Sequence, residues 1–286
     1  MKIIITGGNG FLGSHLIDLL LKKGHKVVNI DKQKSKTKHK NLKNLKIDLS
    51  KIYSIKKTFN NTKILFHFAA LSDLDEAKDK PEETIETNIL YTLYLLKLCK
   101  EFNIKRFIFA SSIYVNSEEG SYYKCSKRAA EDYTEEFCKL NKIKFNILRF
   151  GSLYGERADK NNGINKILLQ AISKKKLEYI GNQKSERRYI HVQDAAKASY
   201  QIMLSRFSSN YIILTGKKLV KVKKVLKFLK NEFLLKSKIK FLNKKFTGHY
   251  TKNPNTYKFR KGIIFKFNKE RDFYEELIAL SKKIKK

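Results

Sequence analysis

The sequence predicts an α/β fold in which a doubly wound parallel sheet is followed by a smaller C-terminal domain. Short apolar runs alternate with helical patterns through the first half of the 286 residues. Such alternation is typical of parallel strands with helices on both faces. After Gly151 the pattern changes to helices joined by loops and brief strands. We therefore predict one domain over 1–150, to which about 189–205 return, and a second over most of 151–286.

The predicted elements follow in order along the chain. Strand-like runs lie at 3–6, 27–31, 45–47, 64–69, 107–111 and 145–150. Helical periodicity lies between them at 11–22, 53–59, 82–102 and 123–140. In the second half it recurs at 164–172, 195–204, 222–233 and about 270–284. Ligands of such sheets bind beyond the carboxyl ends of the strands, so a site is expected there.

A glycine loop joins the first strand to the first helix. Gly7 suits a tight turn, Gly10 lets the backbone approach a pyrophosphate, and Gly13 lets the helix pack closely on the strand. Free N–H groups and the helix dipole then attract the anion. Glycines also mark ordinary turns, but the strand before and the helix after favour a Rossmann-type dinucleotide site. The predicted contacts in this loop are Gly7, Gly10, Phe11, Leu12 and Gly13.

Asp31 ends the second strand and bears on which dinucleotide binds. A carboxylate there hydrogen-bonds the hydroxyls of the adenosine ribose and repels a 2′-phosphate, which favours NAD over NADP. Lys32 and Lys34 lie close enough to attract that phosphate, and a strand-end turn is the alternative role for Asp31. Further cofactor contacts are predicted after the third and fourth strands, at Asp48, Leu49, Phe68, Ala69 and Ala70.

Tyr123 and Lys127 are four residues apart, which places them on one face of a helix. The unperturbed pKa of tyrosine, about 10, is too high for a proton acceptor at neutral pH, and a nearby ammonium is expected to favour the phenolate. A surface pair is the ordinary explanation of this spacing. Ser112, however, ends the fifth strand and can hydrogen-bond the same substrate oxygen. We therefore predict that Ser112, Tyr123 and Lys127 form a catalytic group.

Composition limits the other classes of function. The net charge is +35, and the stretch from Lys32 to Lys63 has eleven lysines and one acid. Nucleic-acid binding would explain such a charge, but no recognition motif or Trp accompanies it, so a lysine-rich solvated surface is preferred. No apolar stretch long enough to span a membrane is present. The three cysteines lack metal-type spacing and the first strand begins at once, so we expect free thiols, no metal, no signal peptide and a cytoplasmic location.

Taken together, these motifs resemble the extended short-chain dehydrogenase/reductases, and among them the NAD-dependent epimerase/dehydratase family that modifies nucleotide sugars. The resemblance runs through nearly the whole chain. It rests on the glycine loop at 6–13, His67-Phe68-Ala69-Ala70, Asn88 with Thr92, Ser111-Ser112, Tyr123-x-x-x-Lys127-x-x-x-Glu131, Leu148-Arg149 leading to Tyr154-Gly155, and Arg187-Arg188-Tyr189-Ile190-His191-Val192 before Asp194.

The resemblance implies roles for further residues. Arg187 corresponds to the arginine that holds the substrate's diphosphate, which suits a guanidinium. The remaining cofactor contacts that it implies are Asn88, Ser111, Tyr123 and Lys127, and the substrate contacts are Ser112, Tyr114 and Ser152. Relatives dimerise through two helices that here begin near Glu82 and Tyr123, so a homodimer is expected. Candidate residues for that seam are Leu90, Leu93, Leu96 and Phe137.

Departures from the family pattern bear on the reaction. Relatives that eliminate water carry Asp-Glu directly after the catalytic hydroxyl, and decarboxylating relatives keep a Glu nearby, whereas this chain has Ile113 and Tyr114. Asn116 and Ser117 replace a common tyrosine and glycine, and Ser152 stands where many members have Asn. Without a carboxylate near C5 and C6, dehydratase and decarboxylase chemistry are disfavoured.

The predicted function is an NAD-dependent nucleotide-sugar epimerase that acts at C4 through a transient keto-sugar, with Tyr123 as acid and base. Cell-surface polysaccharide synthesis would be a suitable setting. An NAD(P)-dependent nucleotide-sugar 4-ketoreductase is the nearer alternative. A non-catalytic dinucleotide-binding or RNA-binding protein on the same scaffold is the alternative from another class.

Overall fold

The computed structural model describes residues 1–35, 37–173, 175–242, 251–252, 254 and 262–284. The strands are β1 (Lys2–Thr6), β2 (Lys26–Asp31), β3 (Leu42–Lys46), β4 (Ile64–His67), β5 (Arg106–Ser112), β6 (Lys144–Phe150), β7 (Ser152–Tyr154), β8 (Glu178–Ile180), β9 (Glu186–Arg187), β10 (Tyr189–His191), β11 (Asn210–Leu214), β12 (Val220–Lys221), β13 (Lys240–Leu242) and β14 (Ile263–Ile264). The α-helices are α1 (Phe11–Lys22), α2 (Leu74–Asp79), α3 (Pro81–Ile85), α4 (Tyr91–Glu101), α5 (Ser121–Leu140), α6 (Gly163–Ser173), α7 (Val192–Leu204), α8 (Val222–Glu232) and α9 (Phe273–Ile284).

An eight-stranded parallel sheet organises the molecule, with strand order β3-β2-β1-β4-β5-β6-β11-β14. The order of its first six strands is that of the doubly wound dinucleotide-binding fold, in which the chain reverses direction between β1 and β4. The predicted fold class is therefore confirmed.

Both faces of the inner strands β1, β4, β5 and β6 are buried, which explains why these strands are largely apolar. Ile3 and Ile5 join a cluster with residues of α1 and α7, among them Leu16 and Ala195. Ile4, whose side chain points to the opposite face, joins a second cluster with residues of α4 and α5.

The second half of the chain contributes to two layers. Helices α6, α8 and α9 share a separate apolar cluster that includes Ile167, Leu226 and Leu277. Three short strand pairs, β7 with β10, β9 with β12 and β8 with β13, accompany this layer. Helix α7 packs on α1, while β11 and β14 extend the large sheet. The chain therefore returns to the sheet more than once after residue 150.

Several boundaries differ from those expected. The helix predicted at 53–59 is a 3₁₀ segment, Leu49–Phe59, which begins where the Asp48 carboxylate accepts a hydrogen bond from Ser50 N. The continuous helix predicted at 82–102 is divided into α3, a π-helical turn at Glu86–Leu90, and α4. Hydrophobic periodicity cannot distinguish these forms, because the apolar face stays nearly the same. Among the described helices, none has the length and apolar character needed to cross a bilayer.

Candidate active site

The candidate site lies at the carboxyl ends of four adjacent strands. The order β2-β1-β4-β5 brings the segments that follow these strands to one edge of the sheet. Each carries residues that the sequence predicts for cofactor binding or catalysis. The topology thus gathers groups that are up to about one hundred residues apart in the chain, as expected at a reversal of strand order.

The glycine loop has the geometry that a pyrophosphate requires. Gly7 has a φ of +74°, and a Cβ there would lie 2.5 Å from Ala69 N. A Cβ at Gly13 would lie 2.2 Å from the carbonyl oxygen of Gly7, so α1 could not approach β1 with a larger residue. Gly10 is the N-cap of α1, with no side-chain cap and no acid in the first turn. The first N–H groups of α1 thus suit an anionic ligand, and these residues fit a dinucleotide.

Asp31 is connected to the glycine loop. Its Oδ2 accepts a hydrogen bond from Asn9 N at 2.9 Å, and its Oδ1 accepts one from Gln33 N at 2.8 Å. Asn29 supports this arrangement because its amide donates to Asn9 Oδ1 at 2.9 Å. The carboxylate of Asp31 is half-buried. Each oxygen keeps a further lone pair, so the carboxylate can still accept hydrogen bonds from two hydroxyls.

The other predicted cofactor contacts lie on either side of this loop. Ser50 N donates to Asp48 Oδ1 at 2.9 Å, and this backbone hydrogen bond is the main reason why the pKa of Asp48 is lowered. Leu49 is buried, whereas Ala69 and Ala70 are half-buried next to the glycine loop. The remaining residues of the set are Phe11, which is half-buried, Leu12, which is buried, and Phe68, whose ring lies 5.5 Å from that of Phe66.

His67 links the strand ends through a buried hydrogen-bond chain that the sequence alone did not assign. Its Nδ1 lies 2.7 Å from Thr6 Oγ1, and its Nε2 lies 2.9 Å from Thr92 Oγ1. The Thr92 hydroxyl donates to Asn88 O, so it accepts from Nε2–H, and the ring is neutral. Burial lowers the pKa of His67 to about 3. A histidine within an apolar strand was the available signal.

Asn88 lies in the π-helical turn and is 1% exposed. Its Oδ1 accepts from Leu71 N at 2.8 Å, and its Nδ2 donates to Leu71 O at 3.1 Å and to Ser126 Oγ at 2.9 Å. Both amide hydrogens are thus used within the protein. The side chain joins the loop after β4 to α5 and positions both, and its predicted contact with the cofactor stays a prediction.

Ser112, Tyr123 and Lys127 come together at the end of β5. A hydrogen bond joins the side chains of Ser112 and Tyr123. The Lys127 ammonium donates to Ala110 O at 2.9 Å and lies 6.0 Å from the centre of the Tyr123 ring. Lys127 is 3% exposed, whereas Tyr123 is half-buried, so the pair is not a surface pair.

Burial dominates the ionisation of both side chains. It raises the pKa of Tyr123 to about 12, and the hydrogen bond with Ser112 offsets only part of this increase. It lowers the pKa of Lys127 to about 7, against the opposing effect of the Glu131 carboxylate. The effect of burial on the pKa of Tyr123 is opposite in direction to the effect expected of a nearby ammonium, because burial penalises the charged phenolate.

Ser111 and Tyr114 lie next to the catalytic group in the sequence, but their side chains make different contacts. Ser111, predicted to contact the cofactor, is 4% exposed, and its hydroxyl donates to Glu131 Oε1 at 2.6 Å. Its side chain therefore points between α5 and the sheet, and its predicted contact with the cofactor stays a prediction. Tyr114 is half-buried with its ring edge-on to that of Tyr123, 6.2 Å between centres. Gly120, with a φ of +107°, makes room for it, since a Cβ there would lie 2.8 Å from Tyr114 Cδ1.

The residues predicted to hold the substrate's phosphates lie outside the large sheet. Arg187, in β9, is 6% exposed and donates to Glu186 O at 2.8 Å and to Tyr179 OH at 3.4 Å. Ser152, in β7, donates its N–H to the carbonyl oxygen of Arg188 at 3.2 Å. This bond brings Ser152 close to Arg187, the residue before Arg188 in the chain. In the described part of the chain, His, Cys, Asp and Glu side chains form no group that could hold a metal ion.

Comparison with known proteins gives a consistent result. The family model described as the NAD dependent epimerase/dehydratase family matches residues 3–213. A putative UDP-glucose 4-epimerase of Methanocaldococcus jannaschii is 29% identical over 220 residues, which cover 69% of this chain and 72% of that protein. The dTDP-D-glucose 4,6-dehydratase of Dictyostelium discoideum is 30% identical over 242 residues, 72% of this chain but only 56% of the dehydratase.

Solved structures share the fold. The UDP-glucuronic acid 4-epimerase of Bacillus cereus, in complex with UDP-glucuronic acid and NAD, superposes with a TM-score of 0.85 at 20% identity, covering 100% of this chain and 99% of that one. The family match covers the glycine loop, the end of β5, the Tyr123–Lys127 pair and Arg187. The chain therefore belongs to the NAD-dependent epimerase/dehydratase family and is an enzyme of the isomerase or oxidoreductase type.

Proposed function

We propose that the protein is an NAD-dependent nucleotide-sugar 4-epimerase. The observation that carries the proposal is the group formed by Ser112, Tyr123 and Lys127 at the same sheet edge as the glycine loop. A phenol hydrogen-bonded to a serine and close to a buried lysine is suited to move a proton on and off a sugar hydroxyl. In this proposal the nucleotide sugar lies between that group and Arg187.

The cofactor would be held by the chain's own backbone and by one carboxylate. The first turn of α1 receives the pyrophosphate, and Asp31 accepts hydrogen bonds from the adenosine ribose. Asp48 and Leu49 lie by the adenine, and the small residues Ala69 and Ala70 leave space for the remainder of the dinucleotide. The carboxylate of Asp31 supports NAD rather than NADP, since it would repel a 2′-phosphate.

NAD, held by the glycine loop and Asp31, would supply reversible hydride transfer at C4 of the sugar. Tyr123 takes the C4 hydroxyl proton during oxidation and gives it back during reduction. Ser112 holds the same oxygen through a hydrogen bond. The ammonium of Lys127, whose nitrogen lies 6.0 Å from the centre of the Tyr123 ring, would stabilise the phenolate by its charge.

The proposed reaction type and substrate contacts follow from the residues in which this chain departs from the family pattern. Ile113 and Tyr114 leave no carboxylate beside the catalytic serine, so C4 oxidation and reduction proceed without elimination of water. Tyr114 packs against Tyr123 and would contact the sugar. Arg187 and Ser152 would contact the diphosphate, where a guanidinium offers paired hydrogen-bond donors.

The test starts with the purified protein. Denaturation should release NAD(H), because a cycle that regenerates its cofactor favours tight retention. UDP-, dTDP-, GDP- and CDP-hexoses are then supplied, and the C4 epimer is measured by NMR or chromatography. Turnover of one of them without net consumption of NAD(H) supports the proposal. Stoichiometric oxidation of NAD(P)H by a keto-sugar would establish the ketoreductase instead, and inactivity on all of them would refute the epimerase.

We also propose a homodimer in the cytoplasm. Apolar side chains remain exposed along α3, the π-helical turn and α5, namely Ile85, Leu90, Tyr122 and Tyr133. Leu96, by contrast, is fully buried and belongs to the core. The three cysteines are free thiols, in keeping with a reducing compartment. Light scattering after size exclusion tests the dimer, and Leu90→Lys should shift it toward monomer while Lys97→Ala, on an exposed position of α4, should not.

A further inference from the structure

Helix α5 and the end of β5 are joined by successive contacts along one stripe of the helix. Tyr123, Lys127 and Glu131 recur every four residues and therefore share a face. Lys127 donates to Ala110 O at 2.9 Å. One residue further along the strand, the Ser111 hydroxyl donates to Glu131 Oε1 at 2.6 Å. The catalytic lysine and this glutamate thus hold consecutive residues of the same strand.

Glu131 is itself fixed by a buried ion pair. Arg149 donates from Nε to Oε1 at 2.9 Å and from Nη2 to Oε2 at 2.6 Å, and the two side chains are 0% and 1% exposed. Arg149 lies in β6 directly opposite Ser111 in β5, so the sheet register brings the arginine to the carboxylate. The Tyr211 ring lies 4.6 Å from the guanidinium carbon and covers it. The carboxylate therefore has one orientation.

The groups that face Lys127 come from three elements besides β5. His67 on β4 is neutral, since burial lowers its pKa to about 3. Tyr123 lies on α5, and Arg149 on β6 carries a positive charge behind Glu131. The carboxylate that acts on Lys127 in the described structure is that of Glu131, and it opposes the effect of burial on the pKa of the ammonium.

We infer that Glu131 is a positioning residue of the proton-transfer site: oriented by Arg149, its carboxylate keeps the ammonium of Lys127 charged beside Tyr123 and holds the end of β5 against α5. The inference deepens the proposed function and rests on it for its catalytic consequence. Without the carboxylate, the pKa of this buried lysine, about 7 in the intact site, would be lowered further. The phenolate of Tyr123 then loses its nearby positive charge.

The direct test is the titration of Lys127 in the intact protein. Lysine labelled with ¹³C at Cε reports its own ionisation by NMR, and the Lys127 signal is assigned by its loss in Lys127→Met. An unperturbed lysine has a pKa near 10.4, so a signal that moves near neutrality is readily distinguished. The charge-neutral pair Glu131→Gln with Arg149→Met removes the carboxylate without leaving a buried arginine unpaired.

The titration midpoint of Lys127 should fall by up to about one pH unit in the double variant, because loss of the more distant positive charge of Arg149 partly offsets loss of the carboxylate. Glu135→Gln is the matched control, because Glu135 lies one turn further along α5 and accepts a hydrogen bond from Tyr211 instead. The titration midpoint of Lys127 in this control should equal that of the wild type. An unchanged midpoint in the folded double variant overturns the inference. Should that variant not fold, Glu131→Gln with Arg149→Gln replaces it, and failure of both neutral pairs would make the ion pair a requirement of the fold, which also overturns it.

Turnover gives the second readout and separates the two proposals. On a nucleotide sugar that the wild type epimerises, the decline of kcat at alkaline pH should begin up to about one pH unit lower in the double variant, with KM nearly unchanged. A wild type that turns over no nucleotide sugar refutes the epimerase but leaves the titration result standing. Turnover with a wild-type pH profile in the double variant refutes the role of Glu131 alone.

Discussion

Arginine and histidine side chains are buried both at the carboxyl ends of the strands of the large sheet, the carboxyl edge, and at their amino ends, the amino edge. Their partners differ between these two edges. Arg149, toward the carboxyl edge, pairs with a carboxylate. Arg106, at the amino end of β5, is 8% exposed, and in the described structure its partners are neutral oxygens. These are Asn146 Oδ1, at 2.8 and 2.6 Å, and the carbonyl groups of Met203, Ser205 and Phe207. Arg149 thus orients the carboxylate of Glu131, whereas Arg106 binds carbonyl groups at the end of α7.

The buried histidines show the same difference. His67 at the carboxyl edge has both ring nitrogens in hydrogen bonds, to Thr6 and Thr92. His25, just before β2 at the amino edge, is 9% exposed, and among the described residues neither of its nitrogens has a partner. Between these two histidines, the one at the functional edge is fully hydrogen-bonded and the one at the opposite edge is not. Each prediction below tests one half of this comparison.

Tyr123→Phe should produce the largest effect, and only on catalysis. Removing the hydroxyl removes the proposed proton carrier, so kcat should fall by about 10²- to 10⁴-fold. Turnover of the preferred nucleotide sugar measures this, with circular dichroism to establish folding. Tyr122→Phe is the matched control, because Tyr122 is the neighbouring tyrosine and is 49% exposed. A wild-type kcat in Tyr123→Phe would show that this tyrosine at the carboxyl edge does not carry the proton.

Arg106→Met should affect stability rather than catalysis. The substitution leaves one amide oxygen and several carbonyl groups without their charged donor, so the free energy of unfolding should fall by about 3 kcal/mol. Urea denaturation measures the loss, and the kcat of the folded fraction should stay unchanged. Lys105→Met, the exposed neighbour on the same edge, should change the free energy by less than about 0.5 kcal/mol. Equal losses of unfolding free energy in both variants would mean that the hydrogen bonds of Arg106 do not stabilise the fold.

The same contrast explains how much the sequence could predict. The β1–loop–α1 unit was predictable because Gly7, Gly10 and Gly13 act over a few residues, and the large sheet followed from local alternation. Glu131 and Arg149 were visible as family markers, but their pairing depends on the register of β5 with β6. Arg106 gave no signal at all, since its partners are mainly backbone carbonyls around the end of α7.

The π-helical turn and the late strands could not be predicted for similar reasons. Asn88 lies in a segment whose periodicity fits a regular helix, and the wider turn is fixed by its contacts with Leu71 and Ser126. Strand β11 joins the sheet sixty residues after its neighbour β6, at a pairing that no local pattern encodes. The ionisation of Tyr123 was also beyond sequence reasoning, because it depends on how deeply the phenol is buried.

Acid should destabilise the protein partly through His67. Its folded pKa, about 3, lies below the unfolded value of about 6.5, so the unfolded chain binds more protons in acid. This contribution to stability is present above pH 6.5 and is lost as the pH falls from 6.5 toward 3, by up to about 1.4 kcal/mol per pH unit. Urea denaturation at pH 7.5, 6.5 and 5.5 should show a flatter dependence for His67→Gln than for the wild type. Identical slopes would mean that the ring is protonated in the native state.

His25→Phe should have the smallest effect, and it should be stabilising. The ring nitrogens of His25 are buried without partners in the described structure, so removing them recovers a desolvation cost of up to about 1 kcal/mol at pH 7. Phenylalanine keeps the contact with the Tyr200 ring, which lies 5.9 Å away between centres. His67→Phe is the counterpart at the other edge, and it should cost about 2 kcal/mol because Thr6 and Thr92 lose their shared partner. Thermal and urea denaturation measure both variants. A loss at His25 as large as that at His67 would mean that the His25 ring is as fully hydrogen-bonded as the His67 ring, and the contrast between the edges would then rest on the two arginines alone.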